Sequence, residues 1–383
     1  MTPTLHMALT AILALGGIVY IAASVFLWIG GLRRGARPRT TESARTNTHP
    51  FVTVVVAARN EVENIPALID ALSQQDYPAD RWELYVVDDR SDDGTGDLVE
   101  QLLPTLPCRG RVLRQSVVPQ NWSPKKHAIT TAIQASDTEH DTSNRVVMTT
   151  DADCRPEPRW ISGMIETLGD ADLVAGYSPF DARTNVWRRM LALEAFSQGF
   201  LALAGIRLRW PITCTGRSFA YRRSVFDRAG GFGEARRMLS GDDHLFLQRA
   251  VGQGFTAVYC TAPNTFVWTD PVGSFREFWH QRIRMFSGVG RLTPSVAIVG
   301  TAAYAWMLLL FGGMLVLWSP AWIGFIGKFV ADAVSLVIAA RHLREWRLLL
   351  VYPFAAFLYL PYFLTFAFLG TFGSYDWKGM RGR

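Results

Sequence analysis

Two carboxylates follow an apolar run near the middle of the chain. Asp151 and Asp153 come directly after residues 145–150 (RVVMTT), whose β-branched and apolar side chains predict a strand. Carboxylate oxygens are the ligands that Mg²⁺ and Mn²⁺ prefer, and either ion can neutralise a bound diphosphate. The pair therefore predicts a site for Mg²⁺ or Mn²⁺ that receives a diphosphate-bearing ligand.

A second Asp-x-Asp pair, Asp170 and Asp172, offers the same side chains in a different position. It follows a predicted helix and precedes a predicted strand, whereas parallel sheets bind ligands beyond the carboxyl ends of their strands. Position in the chain therefore favours Asp151 and Asp153 as the metal ligands.

An acidic turn, residues 88–94 (DDRSDDG), follows another predicted strand. Besides a solvated turn, its spacing allows a calcium-binding loop, because five residues match EF-hand positions: Asp89, Ser91, Asp93, Gly94 and Glu100. An EF-hand loop needs a helix before it, but residues 83–88 (ELYVVD) are strand-like. The turn is therefore predicted to offer Asp89 to the base or ribose of a nucleotide.

A third acidic group, Asp242 and Asp243, is followed by His244 and an apolar run. One acid here is explained by a helix N-terminus, where the helix dipole favours negative charge. Two adjacent acids also fit a general base that removes a proton from a hydroxyl group. A like charge beside such a base should raise its proton affinity. Spacing alone leaves both interpretations open.

These acidic groups lie on a pattern of alternating strands and helices. Residues 51–57, 83–88 and 145–150 are predicted strands. A helix after the first strand is predicted by apolar residues at helical spacing: Ile65, Leu68, Ile69 and Leu72. Such alternation predicts a mostly parallel, Rossmann-like α/β sheet with helices on both faces. The two acidic turns should then converge at the carboxyl edge of the sheet.

The N-terminal segment predicts a membrane anchor. No charged residue occurs in residues 7–32, a run longer than the roughly 20 residues that cross the hydrocarbon core. A cleaved signal peptide is the alternative, but Lys and Arg are absent before the run and follow it at once, so the N-terminus should face outward. Residues 1–32 are thus predicted to be a transmembrane anchor, and the polar residues 33–50 a linker.

The sequence changes character after residue 270. Residues 275–286 (FREFWHQRIRMF) are amphipathic and aromatic, which predicts an interfacial helix within residues 271–291. Long apolar runs follow.

The apolar runs within residues 292–375 predict three C-terminal membrane crossings. The tail, residues 376–383, is basic yet would then face outward, which conflicts with the positive-inside rule. A re-entrant path marked by Pro353 and Pro361 is the alternative.

The formal net charge of +6 raises the question of a nucleic-acid partner. The basic residues, however, are concentrated beside the apolar segments, which fits an anionic membrane surface and a cytoplasmic domain at the plasma membrane. No nucleic-acid partner is expected. The cysteines suggest neither a zinc site nor a disulfide framework, because they lie far apart without a CxxC pair: Cys108, Cys154, Cys214 and Cys260.

Together these motifs resemble those of the family 2 glycosyltransferases with a GT-A fold, particularly the membrane-integrated branch that includes cellulose synthase and poly-N-acetylglucosamine synthase. Six motifs within about residues 50–290 occur in the family's order: VTVVVAARNE, VVDDRSDDGT, TTDAD, CTGRSFAYRR, SGDDHLF and QRIRM. The resemblance implies a GT-A domain over residues 51–270. It also implies a nucleotide-sugar donor, most commonly UDP-linked in this family, and a lipid-linked or polysaccharide acceptor.

By this resemblance the nucleotide site has five residues: Ala57, Arg59, Glu61, Asp89 and Lys126. Asp89 would bind the base. Lys125 and Lys126 both match a basic position expected near phosphate, although exposed lysines at a helix start are the alternative. Asp151 and Asp153 would hold the metal and the sugar diphosphate.

The family's acid pair usually reads Glu-Asp, and its second member is the catalytic base. Asp243 would therefore be the base and Asp242 its supporting neighbour. Acceptor or diphosphate contacts are implied for three residues of QRIRM: Gln281, Arg282 and Arg284. Met285 stands where the family usually has Trp, which removes an aromatic platform and disfavours processive polymer synthesis.

The sequence therefore predicts an inverting, metal-dependent glycosyltransferase at the cytoplasmic membrane face. A transport protein is one alternative; it would need functional charges in the apolar runs, where Lys328 and Asp332 lie one helical turn apart and can pair with each other. An inactive nucleotide-binding scaffold is another. The presence of both acidic motifs argues against it.

Overall fold

The computed structural model describes residues 2–33, 35, 49–137, 144–182, 185–239, 241–287, 294–377 and 380–382. The predicted linker, residues 33–50, falls mostly outside them.

The described residues form helices and strands in alternation through the middle of the chain. The helices are α1 (Pro3–Leu32), α2 (Ile65–Ser73), α3 (Thr95–Leu102), α4 (Pro124–Asp137), α5 (Trp160–Leu168), α6 (Val186–Arg207), α7 (Arg223–Arg228), α8 (His244–Gly252), α9 (Phe275–Phe286), α10 (Pro294–Leu315), α11 (Ser319–Leu343) and α12 (Tyr352–Phe372). The strands are β1 (Phe51–Ala58), β2 (Trp82–Asp89), β3 (Arg109–Gln115), β4 (Arg145–Asp151), β5 (Cys154–Pro156), β6 (Leu173–Gly176), β7 (Phe219–Arg222), β8 (Ala257–Cys260), β9 (Val267–Thr269), β10 (Tyr375–Trp377) and β11 (Met380–Gly382).

Seven strands form the main sheet, in the order β3-β2-β1-β4-β7-β6-β8. β3, β2, β1 and β4 are parallel, so the predicted mostly parallel sheet is confirmed. β7 is the exception, because it runs antiparallel to both β4 and β6. It enters the sheet beside the carboxyl end of β4, where Phe219 pairs with Thr149. The loop before β7 is thereby delivered to the edge that carries the acidic turns.

Side chains of β1 alternate between two hydrophobic cores, as expected for a strand buried on both faces. Val52, Val54 and Val56 pack with α2 and α5, whereas Val55 packs with α4 and α8 on the other face. The sheet is thus covered on both faces. This two-sided burial holds the strand ends rigidly at one edge.

Three described helices are long and apolar enough to cross a membrane, namely α1, α11 and α12, and α10 contributes a shorter apolar segment, Gly300–Leu315. α1 and α11 lie side by side in parallel. The Trp28 indole donates to Ser335 Oγ (2.8 Å), and Gly31 packs on Ile338. Lys328 and Asp332 form the predicted ion pair, and the Tyr20 hydroxyl donates to Asp332.

The long helix α6 attaches the sheet domain to this helix bundle. Gly30 of α1 packs on the carbonyl of Ala204, and both Arg207 and His342 hydrogen-bond to the Gly31 carbonyl at 2.8 Å. At the end of α11, Leu343 packs on Gly199 of α6. The ends of α1 and α11 that meet α6 therefore lie on the side of the bundle that faces the sheet domain.

The last apolar segment turns back toward the same side. After Leu343 the chain reverses along α11, because the Tyr352 hydroxyl at the start of α12 donates to the Phe329 carbonyl in the middle of α11 (2.7 Å). α12 then descends to α9, where Gly370 packs on the backbone of Phe286. Tyr375 joins the hydrophobic cluster around α9. Both ends of the segment after α11 thus lie beside the sheet domain.

Candidate active site

The carboxyl ends of three parallel strands are level with one another. Ala57 of β1 is paired with Val87 of β2 on one side and with Asp151 of β4 on the other. Asp89, two residues beyond Val87, and Asp153, two residues beyond Asp151, extend past this level. The two acidic turns therefore converge at one sheet edge, as the strand pattern predicts.

The turn after β1 and the acidic turn after β2 are joined by hydrogen bonds. Backbone amides of Asn60 and Val62 donate to Ser91 Oγ (3.0 Å) and Asp93 Oδ2 (3.1 Å), and Asn60 Oδ1 accepts from the Asp92 amide (3.1 Å). A strand, β2, precedes this turn, so it is not the helix–loop–helix of an EF-hand. The carboxylate of Asp93 shapes the turn and holds the neighbouring loop.

Asp89 is almost fully buried at the end of β2. Its Oδ1 accepts from Arg90 Nε (2.8 Å) and from Gln115 Nε2 (2.9 Å) on β3. Nearby, Arg59 is half-buried, and the amide of Glu61 donates to Thr95 Oγ1 (2.8 Å). These residues lie along the edge where the nucleotide is expected.

Asp151 and Asp153 lie at and just beyond the end of β4 and have opposite electrostatic environments. Burial would raise the pKa of Asp151, but the adjacent Lys125 ammonium and the charge of Arg217 lower it. The pKa of Asp153 is raised by burial and by the charges of Asp151 and Glu61. Burial and neighbouring negative charge therefore favour a proton or a cation at Asp153, whereas Asp151 is stabilised in its charged form by Lys125.

Asp242 and Asp243 pack against the loop before β7. The Gly216 amide donates to Asp243 Oδ2 (2.8 Å), and a Cβ on Gly216 would lie 3.0 Å from Asp242 Oδ2. Only a glycine lets both carboxylates approach the backbone this closely. Thr149 Oγ1 donates to the Gly216 carbonyl (2.8 Å), which ties this loop to β4.

The pKa of Asp243 differs from the sequence-based prediction. Burial alone would raise it, and a neighbouring acid was expected to raise it further. Instead the His244 amide (2.6 Å) and His244 Nδ1 (2.9 Å) hydrogen-bond to Asp243 Oδ1, and together with the charges of His244 and Lys125 they hold the pKa of Asp243 well below its usual range. Asp243 is therefore ionised at neutral pH.

Lys125 bridges the two acidic groups. Its Nζ lies 2.7 Å from Asp151 Oδ1 and 3.0 Å from Asp242 Oδ2. Lys126, which the resemblance assigns to the nucleotide, points elsewhere: it is fully buried and donates to the carbonyls of Ala235 (2.8 Å) and Met238 (2.7 Å). Burial lowers the pKa of Lys126 to about 8. The lysine that faces the acidic groups is thus Lys125.

Two arginines complete the cluster of charges. The guanidinium of Arg217 lies 5.1 Å from the Phe180 ring centre, and its charge acts on both Asp151 and Asp153. Burial lowers the pKa of Arg284 on α9, whereas the charges of Tyr375, Asp151, Asp242 and Asp243 oppose this. Arg284 therefore interacts electrostatically with the acidic groups.

The other residues of that motif are placed differently. Arg282 is buried and pairs with Glu194 of α6 (2.8 Å), which also accepts from the Tyr362 hydroxyl of α12 (3.0 Å). Arg282 thus joins three helices, and its guanidinium contacts Glu194, whereas the sequence predicted a contact with the acceptor or the diphosphate. Gln281 is half-buried on α9.

Sequence reasoning missed some members of the site. Gly216, Arg217 and His244 lie within quoted motifs, so their positions were available, but their contacts with the acids were not. Gln115 lies outside all six motifs and carried no signal. Gly216 and Arg217 reach the acids because the antiparallel β7 brings its loop to the carboxyl edge, whereas Gln115 reaches Asp89 because β3 pairs with β2.

Comparisons with known proteins agree with this architecture. Residues 53–230 match the glycosyl transferase family 2 model, and residues 146–370 match that of glycosyl transferase family group 2. The mannosyltransferase PcManGT of Pyrobaculum calidifontis, solved with GDP-Man and Mn²⁺, superposes with a TM-score of 0.54 at 20% identity, over 92% of this chain and 99% of that one. The predicted GT-A fold is confirmed.

Three curated relatives each match about two thirds of this chain. The probable glycosyltransferase YdaM of Bacillus subtilis is 26% identical over 70% of this chain and 63% of its own length. The glycosyltransferase AglE of Haloferax volcanii is 25% identical over 63% of this chain and 74% of its own length. The beta-monoglucosyldiacylglycerol synthase of Synechocystis is 28% identical over 66% of this chain and 50% of its own length. The chain thus spans between half and three quarters of the length of these relatives. From the family match over more than half of its residues and the ordered acidic motifs at one sheet edge, the chain belongs to the family 2 glycosyltransferases.

Proposed function

We propose that this protein transfers a sugar, with inversion, from a nucleotide diphosphate sugar to an acceptor hydroxyl at the cytoplasmic face of the plasma membrane. One observation carries the proposal: Lys125 Nζ lies within 3.0 Å of both Asp151 and Asp242. A carboxylate expected at the leaving group and one expected beside the nucleophile therefore contact the same ammonium group. Inverting transfer needs these two functions on opposite sides of one sugar.

The donor set at β4 fits Mg²⁺ or Mn²⁺. The described residues contain no group of three or more His, Cys, Asp or Glu side chains that could enclose a metal. Mg²⁺ at nucleotide sites takes one or two carboxylates and completes its shell with phosphate oxygens and water. Asp151 and Asp153 offer such a pair, and burial together with the charge of Asp151 raises the pKa of Asp153. When bound, the ion would neutralise charge on the diphosphate leaving group.

Asp243 is our proposed base. The Gly216 amide and His244 hold its carboxylate in one orientation and keep it ionised. Each carboxylate oxygen accepts two hydrogen bonds, so Asp243 Oδ2 has an acceptor position left for the acceptor hydroxyl and its proton. Asp242 keeps Lys125 beside the site, and Lys125 and Arg284 bring positive charge toward the diphosphate.

A lipid acceptor is favoured over a polysaccharide. Arg284 faces the acidic cluster, and on the same helix α9 the apolar side chains of Phe275 and Met285 are exposed (69% and 42%). α9 also packs along α12, so the site adjoins apolar, membrane-facing surface. The name of one relative, a beta-monoglucosyldiacylglycerol synthase, denotes a glycolipid product.

The proposed orientation has the N-terminus outside and α12 as a re-entrant segment. The basic tail then lies on the cytoplasmic side, which removes its conflict with the positive-inside rule. A reporter fused after Arg383 should be active on the cytoplasmic side, whereas the same reporter in the turn after α10, at Leu317, should be active outside. An external C-terminal reporter would contradict the re-entrant path.

Transfer can be tested directly with purified protein in detergent, a panel of nucleotide sugars and membrane lipid extract. We expect release of one nucleoside diphosphate that requires Mn²⁺ or Mg²⁺, stops with chelator, and is lost in Asp151→Ala and Asp153→Ala. Asp170→Ala, from the other Asp-x-Asp pair, is the matched control and should keep the activity. No release from any donor would overturn the proposal in favour of an inactive scaffold.

A further inference from the structure

A chain of buried hydrogen bonds ends on Asp89. Gln115 of β3 donates through Nε2 to Asp89 Oδ1 (2.9 Å), and Gln115 Oε1 lies 2.6 Å from His127 Nδ1 on α4. Asp89 and Gln115 are 5% and 7% exposed. Three separate elements, β2, β3 and α4, thus hold one carboxylate.

The direction of each hydrogen bond is fixed by chemistry. The Gln115 amide group donates to a carboxylate, so its oxygen faces His127, and His127 Nδ1 must carry the hydrogen. Arg90 adds Nε at 2.8 Å and a terminal nitrogen at 3.2 Å from the same carboxylate. In this series of hydrogen bonds every donor is directed toward Asp89, and the Asp89 carboxylate accepts.

His127 is held in place from its other side. Its ring lies edge-on to Trp122, with 5.6 Å between ring centres, and Trp122 stacks under Arg236. Burial lowers the pKa of His127, while the charge of Asp89 opposes this. A neutral ring suits donation from Nδ1 to an amide oxygen.

The hydrogen bonds from His127 to Asp89 lie beside an open cleft. A cleft of about 230 Å³ is lined by residues of β2, β3 and α4, among them Val87, Leu113, Gln115, His127 and Thr131. A ligand at the carboxyl edge would therefore meet Asp89 and this cleft together.

We propose that Gln115 and His127 are positioning residues that make Asp89 an acceptor-only group and so select a nucleobase with a ring N–H, as in uracil or guanine. Cytosine N3 and adenine N1 are acceptors and would face the carboxylate with repulsion. A base that leaves a buried polar group unpaired is strongly disfavoured. This inference rests on the proposed function, because that function places the donor nucleotide at Asp89.

Calorimetry with UDP, GDP, CDP and ADP in the presence of Mn²⁺ tests the inference without requiring turnover. We expect wild type to prefer UDP or GDP. Gln115→Met and His127→Leu should each weaken binding of the preferred diphosphate by about tenfold and leave the affinities for CDP and ADP nearly unchanged. His127→Asn, whose amide can donate from the place of Nδ1, should restore the preference. Thr130→Val, on the same helix but outside both the cleft lining and the hydrogen-bond network, is the matched control.

The kinetic signature separates positioning from general damage. The donor KM should rise in Gln115→Met and His127→Leu while kcat at saturating donor stays near wild type. Variants that keep the wild-type base preference, or wild type with equal affinity for all four diphosphates, would overturn the inference. A wild type that binds with this preference but transfers no sugar would instead overturn the proposed function alone.

Discussion

Lys125 and Lys328 both pair with aspartates, but in contrasting surroundings. Lys125 lies at the start of α4, is one-third exposed, and contacts Asp151 and Asp242 from two other parts of the chain. Lys328 is buried within α11, pairs with Asp332 one turn away, and lies near the rings of Tyr20 and Tyr359 (5.2 and 4.9 Å).

The difference is one of extent. Lys125 contacts carboxylates from two parts of the chain, and further charges act on the same acids, among them those of Arg217, Arg284, His244 and Glu61. The Lys328 pair has one charge of each sign, completed by the Tyr20 hydroxyl. A partly exposed cluster of many charges can exchange its partners for ions and ligands, whereas the isolated Lys328–Asp332 pair links α1 to α11. The intramembrane charges therefore give the transport alternative no specific support.

The largest expected effect comes from the base. Asp243→Asn should lower kcat by about 10²–10⁴-fold, because an amide cannot take up the hydroxyl proton. Donor binding should remain near wild type. Single-turnover transfer and calorimetry with the donor diphosphate measure the two quantities. An Asp243→Asn enzyme with normal kcat would break the assignment of this cluster to chemistry.

Breaking the membrane pair should affect stability and leave transfer intact. Lys328→Met leaves the partly buried Asp332 without its ammonium partner, a change whose cost should be below the roughly 3–5 kcal/mol of a fully buried pair. The double variant Lys328→Met/Asp332→Leu should recover most of this loss. Thermal unfolding in detergent reports stability, and transfer per folded protein reports activity. A double variant that is stable yet inactive would show that the Lys328–Asp332 pair is needed for activity and not only for stability.

Two adjacent lysines provide the next comparison. Lys125→Met should lower kcat/KM for the donor by roughly 10–100-fold, because charge-assisted hydrogen bonds near the diphosphate are lost. Lys126→Met should instead lower Tm, since two buried carbonyls lose their donor. Steady-state kinetics and thermal unfolding of both variants distinguish these roles. If Lys126→Met lowered kcat/KM and Lys125→Met lowered only Tm, the phosphate contact would be assigned to Lys126.

The smallest effect concerns pH. His244 hydrogen bonds lower the pKa of Asp243, so the acidic limb of kcat/KM should lie below the usual Asp range. Removing Nδ1 in His244→Leu raises the pKa of Asp243, which moves this limb to higher pH. Activity at neutral pH should change less than tenfold. An unchanged pH–rate profile in His244→Leu would contradict the claim that His244 sets the pKa of the catalytic base.

The local patterns of the sequence predicted most of the framework. β1, β2 and β4 were located within two residues, because apolar β-branched runs followed by acidic turns are local signals. The helices predicted from apolar residues at helical spacing and from the amphipathic pattern, α2 and α9, are also present, because these patterns are local too. The antiparallel β7 and the reversal after Leu343 were not specified, since their direction depends on which distant surfaces pack together.

The sequence by itself determined the residue types: which acids follow which strands, where apolar helices are long enough for a membrane, and the order of family motifs. Only the tertiary structure decided that Lys125 and not Lys126 faces the acids, that Arg282 turns to Glu194, and that Gln115 and His127 stand behind Asp89. Hydrogen bonds and ion pairs act over about 3 Å, so their partners are set by how separate strands and helices pack.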